Sequence, residues 1–564
     1  MAKRYYRHRR KKKIKLRKIL IPSAIIVVLA VAAFIIVRSF ETTGKMYLAS
    51  KNNTTELFFY DDYEGRMFRS EDKLARGTLV TNTKRKHTEN GRTYVLIKYD
   101  DKEYYVNETS LVESKDDIVL ETEKWVRTPV TVYQNNEDSR IASFLKKGSH
   151  LEILSYSTVN PDGSIDMYEI RCGDVTGWVY GKYLESTEDA AKAVYNEHGE
   201  HDIHKDRIYK SKDLYGGDPA KLDWYPVEKP VFDDNPPLTE ARTMYLCAKA
   251  AKDIDQYIEL AKKSGVNSIV LDVKDGALSC PMESIKDIAP ISYKNTLITS
   301  EEMENAARKI KEAGIYLICR IVVFNDRFFA ADHPEECIVS DVSDQLWPSA
   351  FSRLCWYYNV ELAKECVHRF GCNEIQFDYV RFPESAYNMS MSESTDFRNK
   401  YDEGKVEAIQ NFLFYATDQL HKEGVYVSAD VFGESAYKYV SAYGQYWPAI
   451  SNVVDVISGM PYTDHFDRTI DMWTEPYETV YDWAEHAAAR QSEIPTPAIA
   501  RTWVTAYDVP LWNPRVDVDA NYVITEVQAL YDAGLPGGFL TWNGGSDYEK
   551  FKEISGAWSH TYKQ

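Results

Sequence analysis

Residues 374–380 read Glu-Ile-Gln-Phe-Asp-Tyr-Val, a short run in which apolar and polar side chains alternate. Alternation with a period of two is typical of a β-strand, because successive side chains point to opposite faces. Ile375, Phe377 and Tyr379 then share one face, whereas Asp378 lies on the other. An apolar outer face and an acid near the strand end predict a barrel that is jacketed by helices and carries polar groups at one mouth.

Similar runs recur along the second half of the chain, and amphipathic helical stretches fill most of the gaps between them. Several of these stretches end on a glycine, the usual stop before a strand. About eight repeats in roughly 310 residues predict a (β/α)8 (TIM) barrel over residues 237–557. The alternative is a doubly wound open sheet, but no Gly-x-Gly-x-x-Gly turn follows the first strand. The strand-like runs begin near Thr243, Ser268, Ile315, Glu374, Val425, Asp455, Pro497 and Gly538.

Two aspartates end neighbouring predicted strands on the inner face of this barrel. Asp378 ends the fourth strand, and Asp430 ends the fifth, whose apolar residues occupy the odd positions of 425–431. Paired carboxylates suit cleavage of a glycosidic bond, where one protonates the departing oxygen and the other attacks the anomeric carbon or activates water. A single buried aspartate is more often structural, but acids at the same end of several strands are costly to bury without a purpose.

Further polar and aromatic side chains are predicted at the same rim as candidate substrate-binding groups. Arginines there would keep one acid ionised, and aromatic rings would stack on sugar faces, although ordinary barrel packing is the alternative for the tryptophans. The residues are Asp272, Lys274, Arg320, Arg381, Tyr462, Arg501, Trp503, Trp542 and Asn543.

The first residues predict a membrane anchor. Residues 1–18 contain eleven Lys or Arg and no acid, and residues 19–37 carry no charge. Nineteen helical residues span roughly 28 Å, about one hydrocarbon core. The positive-inside rule predicts a cytoplasmic tail over 1–18, a single-pass anchor over 19–37 in the cell membrane, and an extracellular remainder. A cleaved signal peptide is the alternative, but the apolar run is too long for one.

Between anchor and barrel, short alternating segments separated by turn residues predict two small all-β units, over 44–115 and 121–186, followed by a linker over 187–236. The net charge of the whole chain is −18, and the portion beyond the basic tail is more acidic still. This charge argues against a nucleic acid partner. The eight cysteines show no CxxC pair or metal-ligand spacing, so we expect no metal and no cofactor, and a metal-dependent hydrolase is a weaker alternative.

The unit over 121–186 resembles the bacterial Src-homology-3-like domain in its strand order, its Lys147-Gly148 turn and its closing Gly177-Trp178-Val179. The unit over 44–115 lacks the Gly-Trp pair and is a more divergent match. The resemblance implies contact with a cell-wall peptide or glycan, while a plain stalk is the alternative.

The barrel region resembles the bacterial putative glycoside hydrolase family, uncharacterised TIM barrels with alpha-amylase-like relatives. The resemblance implies that Asp378 is the nucleophile and Asp430 the acid/base. Amylase-like barrels usually have Glu at the latter position, and here Glu434 follows four residues on, so either Asp430 or Glu434 is the expected proton donor. The matching motifs are Glu374 to Pro383, Val270 to Gly276, Ala429 to Gly433, Met460 to Tyr462 and Gly537 to Trp542.

Together these patterns predict a membrane-anchored extracytoplasmic glycoside hydrolase. It would act on a cell-wall or extracellular polysaccharide with a two-carboxylate mechanism, and it would contact the membrane through residues 19–37. The alternative is a non-catalytic glycan- or wall-binding surface protein with a degenerate barrel.

Overall fold

The chain divides into two compact units. One contains the described residues up to Trp125 together with His150–Ser186, and the other contains Val126–Ser149 together with the described residues from Thr187 onward. The computed structural model describes residues 44–119, 121–193, 216–466, 470–509 and 515–563.

The predicted cytoplasmic tail and anchor, residues 1–18 and 19–37, lie outside the described residues. Within the described ranges, no helix is both long enough and apolar enough to cross a membrane.

The part of the chain before the linker is all-β, as predicted. The first seven strands form one antiparallel sheet in the order β3-β2-β6-β5-β4-β1-β7, around a core that includes Leu48, Leu57 and Val106. The resemblance of the second predicted unit to an Src-homology-3-like domain stays a prediction. The strands are β1 (Lys45–Leu48), β2 (Thr54–Asp61), β3 (Arg66–Ala75), β4 (Leu79–Glu89), β5 (Arg92–Tyr99), β6 (Lys102–Asn107), β7 (Leu111–Val112), β8 (Glu123–Val126), β9 (Val130–Tyr133), β10 (Ile141–Leu145), β11 (His150–Tyr156), β12 (Met167–Cys172), β13 (Val175–Tyr180) and β14 (Leu184–Glu185).

The β9–β10 hairpin belongs to the same compact unit as the barrel. The guanidinium carbon of Arg353 lies 4.4 Å from the ring centre of Phe144 in β10 and 4.4 Å from that of Tyr401. The Tyr415 hydroxyl donates to the carbonyl of Ser139 in the hairpin turn at 2.8 Å. Since Arg353 and Tyr415 are buried, the hairpin is part of the packed interior of this unit.

Parallel strands form a nearly closed barrel of nine strands, in the order β24-β23-β22-β21-β18-β16-β15-β26-β25. β24 and β25 are separated by Arg501 alone, and the Arg501 backbone N–H donates to the Ile457 carbonyl at 2.9 Å. The strands of this half are β15 (Ala241–Leu246), β16 (Ser268–Asp275), β17 (Ala277–Leu278), β18 (Tyr316–Val322), β19 (Cys337–Ile338), β20 (Trp347–Pro348), β21 (Glu374–Asp378), β22 (Tyr426–Phe432), β23 (Val456–Met460), β24 (Ile499–Ala500), β25 (Thr502–Thr505) and β26 (Gly538–Trp542).

The predicted alternation of strands and helices is confirmed, and each predicted strand start lies within two residues of an observed strand. Helix ends follow the expected chemistry: Gly371 adopts the left-handed conformation, with φ of 59°, and its N–H donates to Val367. The helices are α1 (Glu188–Lys192), α2 (Ile254–Ser264), α3 (Pro290–Lys294), α4 (Ser300–Glu312), α5 (Arg327–Asp332), α6 (Arg353–Phe370), α7 (Ala386–Met391), α8 (Lys405–Lys422), α9 (Trp447–Val453), α10 (Ile470–Thr474), α11 (Pro476–Gln491), α12 (Ala520–Asp532), α13 (Tyr548–Glu553) and α14 (Ser555–Ser559).

A buried acid couples the packing of α12 on β25 to pH. Glu526 is 1% exposed, and its carboxyl contacts the backbone N–H and the hydroxyl of Thr505, both at 3.1 Å. Burial raises the pKa of Glu526 to about 8. The folded chain therefore keeps this proton at neutral pH, whereas the unfolded chain releases it above about pH 4.5.

Because the pKa of Glu526 is higher in the folded chain, its contribution to the free energy of unfolding is complete below about pH 4.5. That contribution is lost as pH rises towards about 8. Glu526→Gln, a neutral isostere that can make both contacts to Thr505, removes this dependence. We expect the free energy of unfolding of the variant, relative to the natural chain, to rise by roughly 3–5 kcal/mol across that window. Urea unfolding at pH 5 and pH 8 measures it, and parallel pH profiles would contradict the assignment.

Candidate active site

A cavity of about 880 Å³ opens at the carboxyl ends of the barrel strands. Four carboxylates line it, at Asp275, Asp378, Glu384 and Glu434, and Arg320 is the one lysine or arginine among the described lining residues. Ligand sites of parallel barrels form at this end, because the loops that follow the strands surround the mouth. Aromatic rings form much of the wall, from Tyr379, Phe432, Tyr437, Tyr439, Tyr443, Tyr462, Phe466, Trp503 and Trp542.

Arg320 in β18 connects the acids of this mouth. The side chain is 2% exposed, and it donates to Asp272 Oδ1 at 2.7 Å and to Asp378 Oδ2 at 2.5 Å. Its guanidinium also lies 3.9 Å from Asp430 Oδ2 and 3.7 Å from Asp275 Oδ2. One guanidinium is thus shared by four aspartates from three strands, and both Asp378 and Asp430 lie beside it.

The shortage of positive charge changes the protonation of the buried acids. Burial, together with the charge of Asp378, holds the pKa of Asp430 well above its ordinary range, against the opposing effects of Arg320 and a hydrogen bond from Trp503. Burial also raises the pKa of Asp272 to about 6, although Arg320 opposes the shift. Burying a carboxylate charge without a cation beside it is unfavourable, so the protonated form of Asp430 has the lower free energy.

Asp430 lies in the barrel wall and does not line the cavity. It is 1% exposed, and Trp503 Nε1 donates to its Oδ1 at 2.8 Å. Its Oδ2 has no hydrogen-bond partner among the residues that the structure describes. Because Trp503 does line the cavity, Asp430 contacts a cavity wall residue.

Asp378 lines the cavity and is fixed from two sides. Arg320 binds its Oδ2, and the backbone N–H of Tyr379 donates to its Oδ1 at 2.6 Å. Tyr379 adopts a left-handed backbone, with φ of 51°, which is rare and strained for an aromatic residue. Strain of this kind clusters at functional sites, since it persists where the surrounding structure enforces it.

Glu434 also lines the cavity, from a short turn that follows β22. Its two carboxyl oxygens accept hydrogen bonds from the hydroxyls of Tyr439 and Tyr443. The side chain is half-buried, so a ligand in the cavity can reach it.

Several residues predicted at the rim lie elsewhere. Lys274 is buried with Asp326 Oδ2 at 2.7 Å and Asn359 Oδ1 at 2.8 Å, because the β16–β18 register shifts between Asp272 and Lys274 and changes the side on which Lys274 lies. Arg501 donates to both oxygens of Glu374 at 3.0 Å, at the amino-terminal end of β21.

Asn543 and Arg381 also do not line the cavity. The Asn543 amide donates to the Ala506 carbonyl at 2.8 Å and stabilises a turn. Arg381 lies below the lining, between the rings of Tyr379 and Phe432, at 4.6 and 4.2 Å from their centres. Asp378, Glu434, Arg320, Tyr462, Trp503 and Trp542 do line it, and Asp272 lies one contact behind.

A family model described as "Putative glycosyl hydrolase domain" matches residues 243–548, more than half of the chain. The chain belongs to this family. The match spans the strands that carry Asp272, Arg320, Asp378 and Asp430, so the cavity lies within the glycosyl hydrolase domain. The predicted family membership is confirmed.

Solved structures with similar coordinates include a hypothetical protein from Ruminiclostridium thermocellum, 28% identical over 33% of this chain and 97% of its own, with a TM-score of 0.27. The Bacillus cereus spore cortex-lytic enzyme SleL is 12% identical over 57% and 74%, with a TM-score of 0.36. A beta-N-acetylhexosaminidase from Bacteroides fragilis is 12% identical over 57% and 66%, with a TM-score of 0.38. No curated protein sequence matches the chain.

The glycosyl hydrolase domain also contains site residues that sequence reasoning missed. Tyr245 in β15 lies 4.5 Å from Trp542, centre to centre, and its hydrogen bond to Asp272 opposes the rise in pKa of that acid. The alternation test applied to β15 would have found it. Asp275 lies within the family motif Val270 to Gly276, although it was not among the predicted site residues. Tyr437, Tyr439 and Tyr443 lie in a loop without periodicity, so no sequence signal pointed to them.

Proposed function

We propose that the glycosyl hydrolase domain is an active TIM-barrel glycosidase that cleaves a polysaccharide outside the cell by a two-carboxylate mechanism. The observation that carries the proposal is a single cavity lined by both Asp378, at the end of β21, and Glu434, in the turn after β22, among aromatic rings. Two carboxyl groups and stacking surfaces are what glycosidic cleavage needs.

In this proposal Asp378 is the nucleophile. Its contacts with Arg320 and the Tyr379 N–H fix the carboxylate towards the cavity and limit its motion. Asp378 attacks the anomeric carbon while the bond from that carbon to the leaving-sugar oxygen breaks. The result is a glycosyl ester on Asp378, which water then hydrolyses.

Glu434 is the proposed proton donor, in preference to Asp430. A donor must lie within hydrogen-bond reach of the departing oxygen, and Glu434 lines the cavity whereas Asp430 does not. Glu434 gives its proton to the leaving sugar and takes one from water in the second step. Asp430, protonated and bonded to Trp503, acts as a positioning residue for the wall and for the charge balance around Arg320.

The location and the glycan are part of the proposal. The uncharged run at 19–37 after a basic tail supports a single-pass anchor with the barrel outside the cell, and the all-β region supports contact with the cell wall. The full chain should release reducing ends from at least one member of a panel of wall and capsular polysaccharides. Retention of a polysaccharide without release would instead favour the non-catalytic binding protein.

Substitutions distinguish Glu434 from Asp430 as the proton donor. Glu434→Gln should lower kcat on the glycan found in that panel by about 10²–10⁴-fold, because the leaving oxygen loses its proton source. Asp430→Asn should lower kcat by less than about tenfold, since Asn is a neutral isostere of the protonated acid and keeps the bond from Trp503. Thermal unfolding checks that both variants are folded. The reverse ranking of the two variants would assign the proton to Asp430.

A further inference from the structure

The cavity carries an excess of negative charge that the proposed chemistry does not use. Asp378 and Glu434 suffice for cleavage, yet Asp275 and Glu384 also line the mouth. Glu384 is 3.3 Å from Arg381, which partly compensates it. Asp275 shares its cation, Arg320, with three other aspartates.

Asp275 is available to a ligand. Its side chain is 52% exposed at the end of β16. The one ion pair that it forms within the described ranges is with Arg320 at 3.7 Å, and that guanidinium already donates to Asp272 and Asp378 at shorter distances. The charge of Asp275 is therefore largely uncompensated at the mouth.

The wall of this mouth is the second observation. It includes the rings of Tyr379, Tyr462, Trp503 and Trp542, whose faces attract cations as well as stacking on sugars. Carboxylates and aromatic faces together form a surface suited to an ammonium group.

We propose that this mouth selects a cationic polysaccharide, one whose amino sugars carry free rather than acetylated amines, and that Asp275 is the specificity-determining residue. The proposal rests on the proposed function in placing the glycan in the same cavity. An ammonium group on the sugar contacts Asp275 and the neighbouring rings. Uronic acids and phosphate-bearing glycans are repelled, because their negative charge meets the carboxylates of the mouth and because the Arg320 guanidinium is already paired.

The test compares affinities of the full chain for tetramers of glucosamine and of galactosamine, their N-acetylated counterparts and a galacturonic acid tetramer, by calorimetry at pH 5.5. At least one free-amine tetramer should bind about tenfold more tightly than its acetylated counterpart, equivalent to about 1.4 kcal/mol, and the uronate should bind most weakly. Raising salt to about 1 M should shrink the difference, since the Debye length falls to about 3 Å.

Asp275→Asn should reduce the preference for the free-amine tetramer over its acetylated counterpart by about fivefold. Asp255→Asn, the same change on the exposed face of α2, is the matched control and should leave both affinities unchanged. Equal binding of free and acetylated tetramers, tightest binding of the uronate, or an undiminished preference in Asp275→Asn would each overturn the proposal.

The same measurements separate this inference from the proposed function. Tight binding of a free-amine tetramer, with no release of reducing ends from any polysaccharide of the panel, would support the charge selection and refute the glycosidase. Hydrolysis of an uncharged glycan with no preference among the tetramers would do the opposite.

Discussion

Replacing Asp378 by Asn should reduce glycan hydrolysis by about 10⁴-fold or more while glycan binding changes little. The amide has the shape of the carboxylate but is a poor nucleophile, so the step that forms the glycosyl ester is lost. Asn can still accept the Tyr379 N–H through its side-chain oxygen, and it leaves Arg320 paired with Asp272. The fold and the shape of the cavity should therefore persist.

The measurement is reducing-end release by purified full-length chain, with binding of the same polysaccharide followed in parallel. Asp517→Asn is the matched control, because Asp517 is 77% exposed and does not line the cavity. Hydrolysis by the Asp378 variant at the rate of the natural chain would remove Asp378 from the mechanism and leave the binding-protein alternative or another acid.

Replacing Arg320 by Met should cost about 3–5 kcal/mol of folding free energy, the largest stability effect expected in the barrel. Met fills much of the volume but leaves Asp272 and Asp378 buried without their cation. Asp272, whose pKa burial already raises to about 6 against the effect of Arg320, takes up a proton more readily once that cation is gone, so the variant gains stability as pH falls. The loss should therefore be larger at pH 8 than at pH 5.

Urea unfolding of the barrel, followed by tryptophan fluorescence, gives this cost at both pH values. A second variant, Arg320→Met with Asp272→Asn, should recover part of the loss, since it removes one of the stranded charges. If Arg320→Met were as stable as the natural chain at pH 8, the guanidinium would not be compensating these acids.

Sequence patterns were sufficient for the barrel and for the centre of its site. Alternation in β21 and β22 predicted that Asp378 and Asp430 would meet, and both lie beside Arg320. The alternation test works there because those strands keep regular parallel pairing, so inner and outer faces are fixed by position alone.

The test fails where pairing is irregular or where side chains are long. The shift in β16–β18 register before Lys274 places its ammonium beside Asp326. Arg501 lies between β24 and β25, and its long side chain reaches Glu374. The contrast between Asp430 and Glu434 depends on burial, which no local pattern encodes. Tyr439 and Tyr443 reach Glu434 from an irregular loop, and only the folded chain brings these three together.

The β9–β10 hairpin packs against residues of the barrel unit that are synthesised much later than the hairpin itself. Ser139 contacts Glu361 and Tyr415, which lie 222 and 276 positions further along the chain. At about 5–20 residues per second, the ribosome makes the hairpin roughly ten to sixty seconds before those partners emerge. During that interval Phe144 lacks its contact with Arg353 of α6, so the barrel unit completes its packed interior only after residue 415 has been made.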